Sequence, residues 1–287
     1  MANQFKNFKE HPPADVFAYL APRVKKLDEI LGQGSYMLIG AYVRDYYLLK
    51  AELAAYRSTQ DIDFSVAAAA RGDFLQRLER IGKQSGVGSG QSSSQDKSVL
   101  CRVMEGGIDV DILPFGDLAP NGIFEVGERS WDVTGHLESF RVAELWELDS
   151  DAVVKIPPLN CMLGLKIIAW DTRHEMYFDK DAEDFHKLLE AGVRIVEEII
   201  FDSEEGQYCL EKWDYDTQKA SVGLLAGQLK EDFKGASLGR CLDVLNDKGK
   251  ASEFLRAAEN RGLLSGKVSE TEYRERFECF LEAFLAD

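Results

Sequence analysis

Arg57-Ser-Thr-Gln-Asp-Ile-Asp-Phe-Ser-Val66 alternates acid and apolar residues, with Asp61 and Asp63 interleaved among Ile62, Phe64 and Val66. A period of two is the signature of a half-buried β-strand. Both carboxylates then leave one face of the strand, while Ile62 and Phe64 enter a core on the other. A second segment, Ile108-Asp-Val-Asp-Ile-Leu-Pro-Phe115, repeats the pattern with Asp109 and Asp111. Two such strands side by side would gather several carboxylates on one face.

Upstream of this pair, Tyr36–Ile39 reads as a short buried strand that ends at Gly40-Ala41. A helix is expected from about Ala41 to Ala55, and an earlier one from Asp15 to Leu31, with Pro22 near a first-turn position and Gly32 as its stop. A strand, a Gly-Ala turn and a helix can together present backbone N–H groups to an anion. Downstream, Phe74, Leu78 and Ile81 share one face of a helix over Asp73–Ile81. The stretch from Gly82 to Ser94 is rich in glycine, serine and glutamine and reads as a loop. Two strands, Ser98–Met104 and Ile108–Leu113, flank Glu105-Gly106-Gly107, a connection short enough for a hairpin.

An antiparallel hairpin disfavours a doubly wound dinucleotide fold, and neither Gly-x-Gly-x-x-Gly nor a P-loop lysine motif occurs. From Pro158 onward the pattern is helix after helix. The expected class is therefore α+β: a small mixed or antiparallel sheet with flanking helices over residues 1–150, and a helical region over residues 151–287.

The chain has 287 residues, 45% of them hydrophobic, enough for a sizeable core. Fifty acidic against 34 basic residues give a formal net charge of −16, which opposes a general affinity for nucleic acid. The five cysteines (101, 161, 209, 241 and 279) form no Cys-x-x-Cys pair, so reduced thiols in a cytoplasmic protein are expected. The first ten residues contain no apolar signal core, and no apolar run is long enough for a membrane span.

Asp61, Asp63 and one of Asp109 or Asp111 have the chemistry of a hard-cation site, magnesium or manganese, of the kind used in phosphoryl transfer. Lys166 lies within an apolar helical face that includes Leu159 and Leu163. It must either snorkel to water or point inward at a partner such as a phosphate. Asp181 faces inward near a helix start, where it could act as a cap or hold Lys166. His11, His136, His174 and His186 show no metal-ligand spacing and read as surface or structural residues. The acidic stretch from Asp202 to Asp216 reads as a solvated face, or as a lure for a cationic acceptor.

These residues come in a recognisable order. Gly40-Ala41-x-x-Arg44-Asp45 is followed by Arg57-x-Thr59-x-Asp61-Ile-Asp63-Phe64, then Val110-Asp111-Ile-Leu-Pro114-Phe115-Gly116. Leu165-Lys166-Ile-Ile-Ala-Trp170 with Arg173, and Lys180-Asp181-Ala-x-Asp184, complete it. The series resembles the AbiEii/AbiGii toxin-type nucleotidyltransferases of the DNA polymerase β-like superfamily, over roughly residues 36–190. The resemblance implies transfer of a nucleoside monophosphate from a nucleoside triphosphate to an acceptor hydroxyl, with release of pyrophosphate. It gives Asp61, Asp63 and Asp111 to the metals, with Asp111 also helping to deprotonate the acceptor. It places Gly40, Ala41, Arg44, Thr59, Lys166, Arg173 and Asp181 around the nucleotide. The superfamily more often has Gly-Gly or Gly-Ser at the position of Gly40-Ala41.

The acceptor could be transfer RNA, a small molecule or a protein, and a toxin would have an antitoxin partner. A rival enzyme class, a phosphatase with Asp61 as nucleophile, would need an apolar strand before Asp-x-Asp, whereas Arg57–Gln60 is polar. A non-catalytic nucleotide-binding or partner-binding module of the same fold is the remaining alternative.

Overall fold

The computed structural model describes residues 20–54, 61–69, 71–84, 102–105, 108–126, 129–149, 151–177, 179–265 and 270–286. Arg57, Thr59, Cys101, residues 15–19 of the first expected helix, most of the Gly82–Ser94 stretch and the start of the Ser98–Met104 strand lie outside these residues. The chain forms two units. The first comprises residues 1–43 and 56–158, and the second Arg44–Ala55 and Leu159–Asp287. The sequence put the division near residue 150; it falls after Pro158, because one more strand precedes the helical run.

The first unit is built on a six-stranded mixed sheet in the order β3-β4-β2-β1-β8-β7. Its strands are β1 (Tyr36–Ile39), β2 (Asp61–Ala67), β3 (Arg102–Glu105), β4 (Ile108–Phe115), β7 (Glu144–Asp149) and β8 (Ala152–Ile156). β5 (Ile123–Val126) and β6 (Arg129–Asp132) form a separate antiparallel hairpin. Within the main sheet β2 runs parallel to β4 and β1 parallel to β8, while the β3/β4, β1/β2 and β7/β8 pairs are antiparallel.

The alternation in β2 sorts its residues as the sequence requires. Ile62 and Phe64 are fully buried, while Asp61 and Asp63 are half-buried. Burying each such apolar side chain contributes roughly 1.5–3 kcal/mol. Helix α1 (Leu20–Leu31) covers that apolar face. The Tyr36 ring packs edge-on against Phe64 at 5.6 Å, and its hydroxyl reaches Asp28 Oδ1 at 2.8 Å on α1. Helix α3 (Arg71–Gln84) packs beside α1. On the opposite face lies α4 (His136–Val142), a short helix that the sequence reading missed. The His136 Nδ1 is 2.7 Å from the buried Ser65 Oγ, and Phe140 packs on Phe115. The Lys155 ammonium sits 3.8 Å from the Phe140 ring centre, and burial pushes its pKa down. α4 thus meets the Ser65 end of the face whose other end carries Asp61 and Asp63.

Helix α2 (Ala41–Lys50) starts in the first unit and continues into the second. It ends five residues short of the expected Ala55. In the second unit follow α5 (Leu159–Tyr177), α6 (Lys180–Glu197), α7 (Glu204–Lys212), α8 (Thr217–Asp232), α9 (Gly235–Leu245), α10 (Lys248–Ser265) and α11 (Glu270–Leu285). An aromatic cluster of Trp170, Phe185, Phe254, Phe277 and Phe280 joins α5, α6, α10 and α11. His186 is buried in this cluster, against Tyr273 and Phe277, which fits a structural role. Cys161, Cys209, Cys241 and Cys279 are buried free thiols. No helix among the described residues is long and apolar enough to cross a membrane.

Candidate metal centre

Parallel pairing of β2 with β4 sets Asp61 opposite Asp109 and Asp63 opposite Asp111. Among the described residues, three carboxylates converge. Asp61, Asp63 and Asp111 each offer a carboxylate oxygen, all within 4.8 Å of one another, and all three residues are half-buried. The Asp109 side chain lies outside the described residues, among which the third carboxylate is that of Asp111. Like charges at that spacing repel by about 3 kcal/mol per pair at an effective dielectric near 20. A cation held between them turns repulsion into attraction. The donor set is all carboxylate oxygen, with no thiolate or imidazole among the described groups, which suits magnesium or manganese better than a softer metal.

Gly40 shapes the same corner. Ile39, the last residue of β1, pairs with Asp63, and the chain then turns through Gly40 at φ +74° into α2. A Cβ at position 40 would overlap Asp63 Oδ2 and lie 3.0 Å from its Cγ. Only glycine accommodates both the left-handed backbone and the carboxylate. Ala41 is the first residue of α2, so the positive end of a helix dipole starts one residue from the turn.

Arg44, Lys166, Arg173 and Asp181 gather within the second unit, as part of a chain of alternating charge, and Thr59 lies outside the described residues. The Lys166 ammonium donates to Asp181 Oδ1 at 2.8 Å and to Asp184 Oδ2 at 2.6 Å. Arg173 holds Asp181 with two bonds, at 2.7 and 2.9 Å. Arg44, fully buried on α2, donates to Asp184 Oδ1 at 3.0 Å and pairs with Asp45 at 2.7 Å. Three acids and three bases therefore run Asp45–Arg44–Asp184–Lys166–Asp181–Arg173. Lys166 is buried, so it does not snorkel; it points inward at two carboxylates. Burial pushes the Asp181 carboxyl up, but Lys166 and then Arg173 outweigh it and hold the group below the ordinary aspartate value. Arg173 is the solvent-facing end of the chain, with 43% of its side chain exposed.

Sequence reading missed the Arg44–Asp184 bond. Its one local signal is an arginine inside the apolar run Tyr42-Val-Arg-Asp-Tyr-Tyr-Leu48. It read His136 as surface or structural, and the buried bond to Ser65 decides for structural. No model of a known protein family matches the chain, and no curated protein matches it.

Proposed function

We propose that the protein is a metal-dependent nucleotidyltransferase. It would move a nucleoside monophosphate from a nucleoside triphosphate to an acceptor hydroxyl, and the motif series resembling the AbiEii/AbiGii type is the frame for this reading. The observation that carries it is the convergence of Asp61, Asp63 and Asp111 from two adjacent parallel strands, beside a glycine with no room for a side chain. In the proposed reaction the acceptor oxygen attacks the α-phosphorus, the bond to the β-phosphate oxygen breaks, and pyrophosphate leaves.

Bound magnesium or manganese would neutralise phosphate charge and lower the pKa of the attacking hydroxyl. Asp61, Asp63 and Asp111 would hold it, and Asp111 would take up the acceptor proton. The backbone at Gly40 and Ala41 would approach the triphosphate. Of the cations that the resemblance gives to phosphate, Arg173 is the one exposed to an incoming anion, whereas Lys166 and Asp181 act by fixing it. Arg44, fully buried, would serve the same scaffold. Thr59 keeps only the role that the resemblance gives it.

The test is thermal unfolding with each of the four nucleoside triphosphates, with and without magnesium, paired with pyrophosphate release over candidate acceptors. A ligand at about 100 times its Kd stabilises by roughly 2.7 kcal/mol. A magnesium-dependent shift lost in Asp61→Ala/Asp63→Ala supports the proposal and names the base. A shift and pyrophosphate release that persist unchanged in that variant would overturn it. Nucleotide binding that survives in Asp61→Asn with no turnover in either protein would favour a non-catalytic binding module.

A further inference from the structure

The exposed large aromatic residues among those described are Phe201, Tyr208 and Tyr215, at 55%, 66% and 66%. All three fall within one segment of the second unit that runs through α7. Phe201 lies just before the helix, in a 3-10 turn (Ile200–Asp202), Tyr208 is in its middle, and Tyr215 follows its end. The helix itself turns Cys209 and Leu210 inward, so its packing needs are met on the other side. Helical spacing sets Glu204, Glu205 and Glu211 around Tyr208, at positions i−4, i−3 and i+3.

The charge of this face is as lopsided as its exposure. Asp202, Glu204, Glu205, Glu211, Asp214 and Asp216 are exposed, against one base, Lys212. Among the described residues the first five have no ion-pair partner, while Asp216 caps α8 by accepting from the Lys219 N–H at 3.0 Å and lies 3.8 Å from the Lys219 ammonium. Elsewhere in the same unit, acids such as Asp171, Asp181 and Glu259 are matched by arginine or lysine. Asp214 and Tyr215 also sit at φ +50° and +62°, adjacent left-handed residues without a glycine. A bulky aromatic in that conformation costs free energy. The same turn closes the helix, with Tyr215 N–H donating to Leu210 O at 2.7 Å, and leaves the Tyr215 ring exposed.

We propose that this face docks an arginine-rich segment of a partner protein. Guanidinium groups stack on Tyr and Phe rings and pair with carboxylates in one approach, which neither an apolar helix nor a nucleic acid would do here. A lysine segment would supply the charge but stack less well. The inference is independent of the metal centre.

The test uses two fluorescein-labelled twelve-residue peptides, one of alternating arginine and glycine and one of alternating lysine and glycine. Each is titrated by fluorescence polarisation at low and high salt. The arginine peptide should bind severalfold more tightly than the lysine peptide. Tyr208→Ser/Phe201→Ser, which leaves net charge unchanged, should weaken it by about tenfold, a change expected for a lost pair of stacking contacts. Glu204→Gln/Glu205→Gln should weaken it and flatten the salt dependence. Tyr215→Gly should weaken binding while leaving the melting temperature equal to wild type or higher. Equal affinity for the two peptides, or binding insensitive to the aromatic substitutions, would reduce the surface to diffuse electrostatic attraction and overturn the proposal. A change of oligomeric state in Tyr208→Ser/Phe201→Ser without peptide would assign the face to self-association and overturn it too.

Discussion

Gly40 and the Asp63 carboxylate share a space too small for any additional carbon. Gly40→Ala should therefore do two things at once. It should destabilise the fold by about 1 kcal/mol or more, because alanine resists a positive φ. It should also displace Asp63 and weaken manganese binding, read by calorimetry or by electron paramagnetic resonance. Wild-type manganese affinity in a folded Gly40→Ala protein would count against a metal site at this corner.

The carboxylates of Asp61, Asp63 and Asp111 lie close enough to share one cation, so removing one of them should weaken its hold. Asp61→Asn should show a smaller magnesium-dependent gain in unfolding free energy than wild type. Urea titrations in chelator and in magnesium measure the gain for each protein. An equal gain in the two would count against a metal site on these carboxylates.

Lys166 is the central cation of the buried charge chain, between Asp181 and Asp184. Lys166→Met leaves Asp181 with Arg173 and Asp184 with Arg44 but puts one buried negative charge in excess, and should cost about 3–5 kcal/mol. Lys166→Met/Asp184→Asn should recover part of that loss, since the excess negative charge is removed. Chemical denaturation of the single and double variants measures the coupling, and a purely additive result would show that the chain does not act as a unit.

Acid should destabilise the second unit through two groups. Burial lowers the His186 pKa to about 3, helped by nearby Arg276 and Lys187. The unfolded chain binds this proton near pH 6.5 and the folded one does not, so stability is full above that value and falls as pH drops from about 6.5 toward 3, by about 1.4 kcal/mol per unit at most. Asp181, held below its ordinary value, adds a further loss as pH falls below about 4. His186→Phe, which keeps a ring among Phe185, Tyr273 and Phe277, should flatten the first part of the curve and leave the second.

What could be read from the sequence follows from what periodicity encodes. The β2 and β4 strands announced themselves because Asp and Ile alternate, and alternation fixes which side chains share a face. β7 did not, because Glu-Leu-Trp-Glu-Leu-Asp149 spaces its leucines three apart, as a helix would. β8 follows it as Ala-Val-Val-Lys-Ile156, and missing the pair moved the division to residue 150. For Lys166 the spacing gave the helical face but not the reach of the side chain. The ion pairs that settle it are tertiary, 15 and 18 residues away in sequence. That α2 contributes to the helical unit could not be read at all, since nothing local distinguishes it from a helix that stays with its own sheet.

That shared helix sets an order of events during synthesis. Arg44 leaves the ribosome 140 residues before Asp184, the carboxylate that receives it in the finished fold. At about 5–20 residues per second the gap is roughly 7–28 s. Through that interval a guanidinium destined for complete burial has no Asp184 to meet, so the α2 end of the helical unit cannot finish folding while the chain is still short. Because each unit draws on two separate stretches of the chain or is interrupted by the other, no cut at a single peptide bond yields either unit whole.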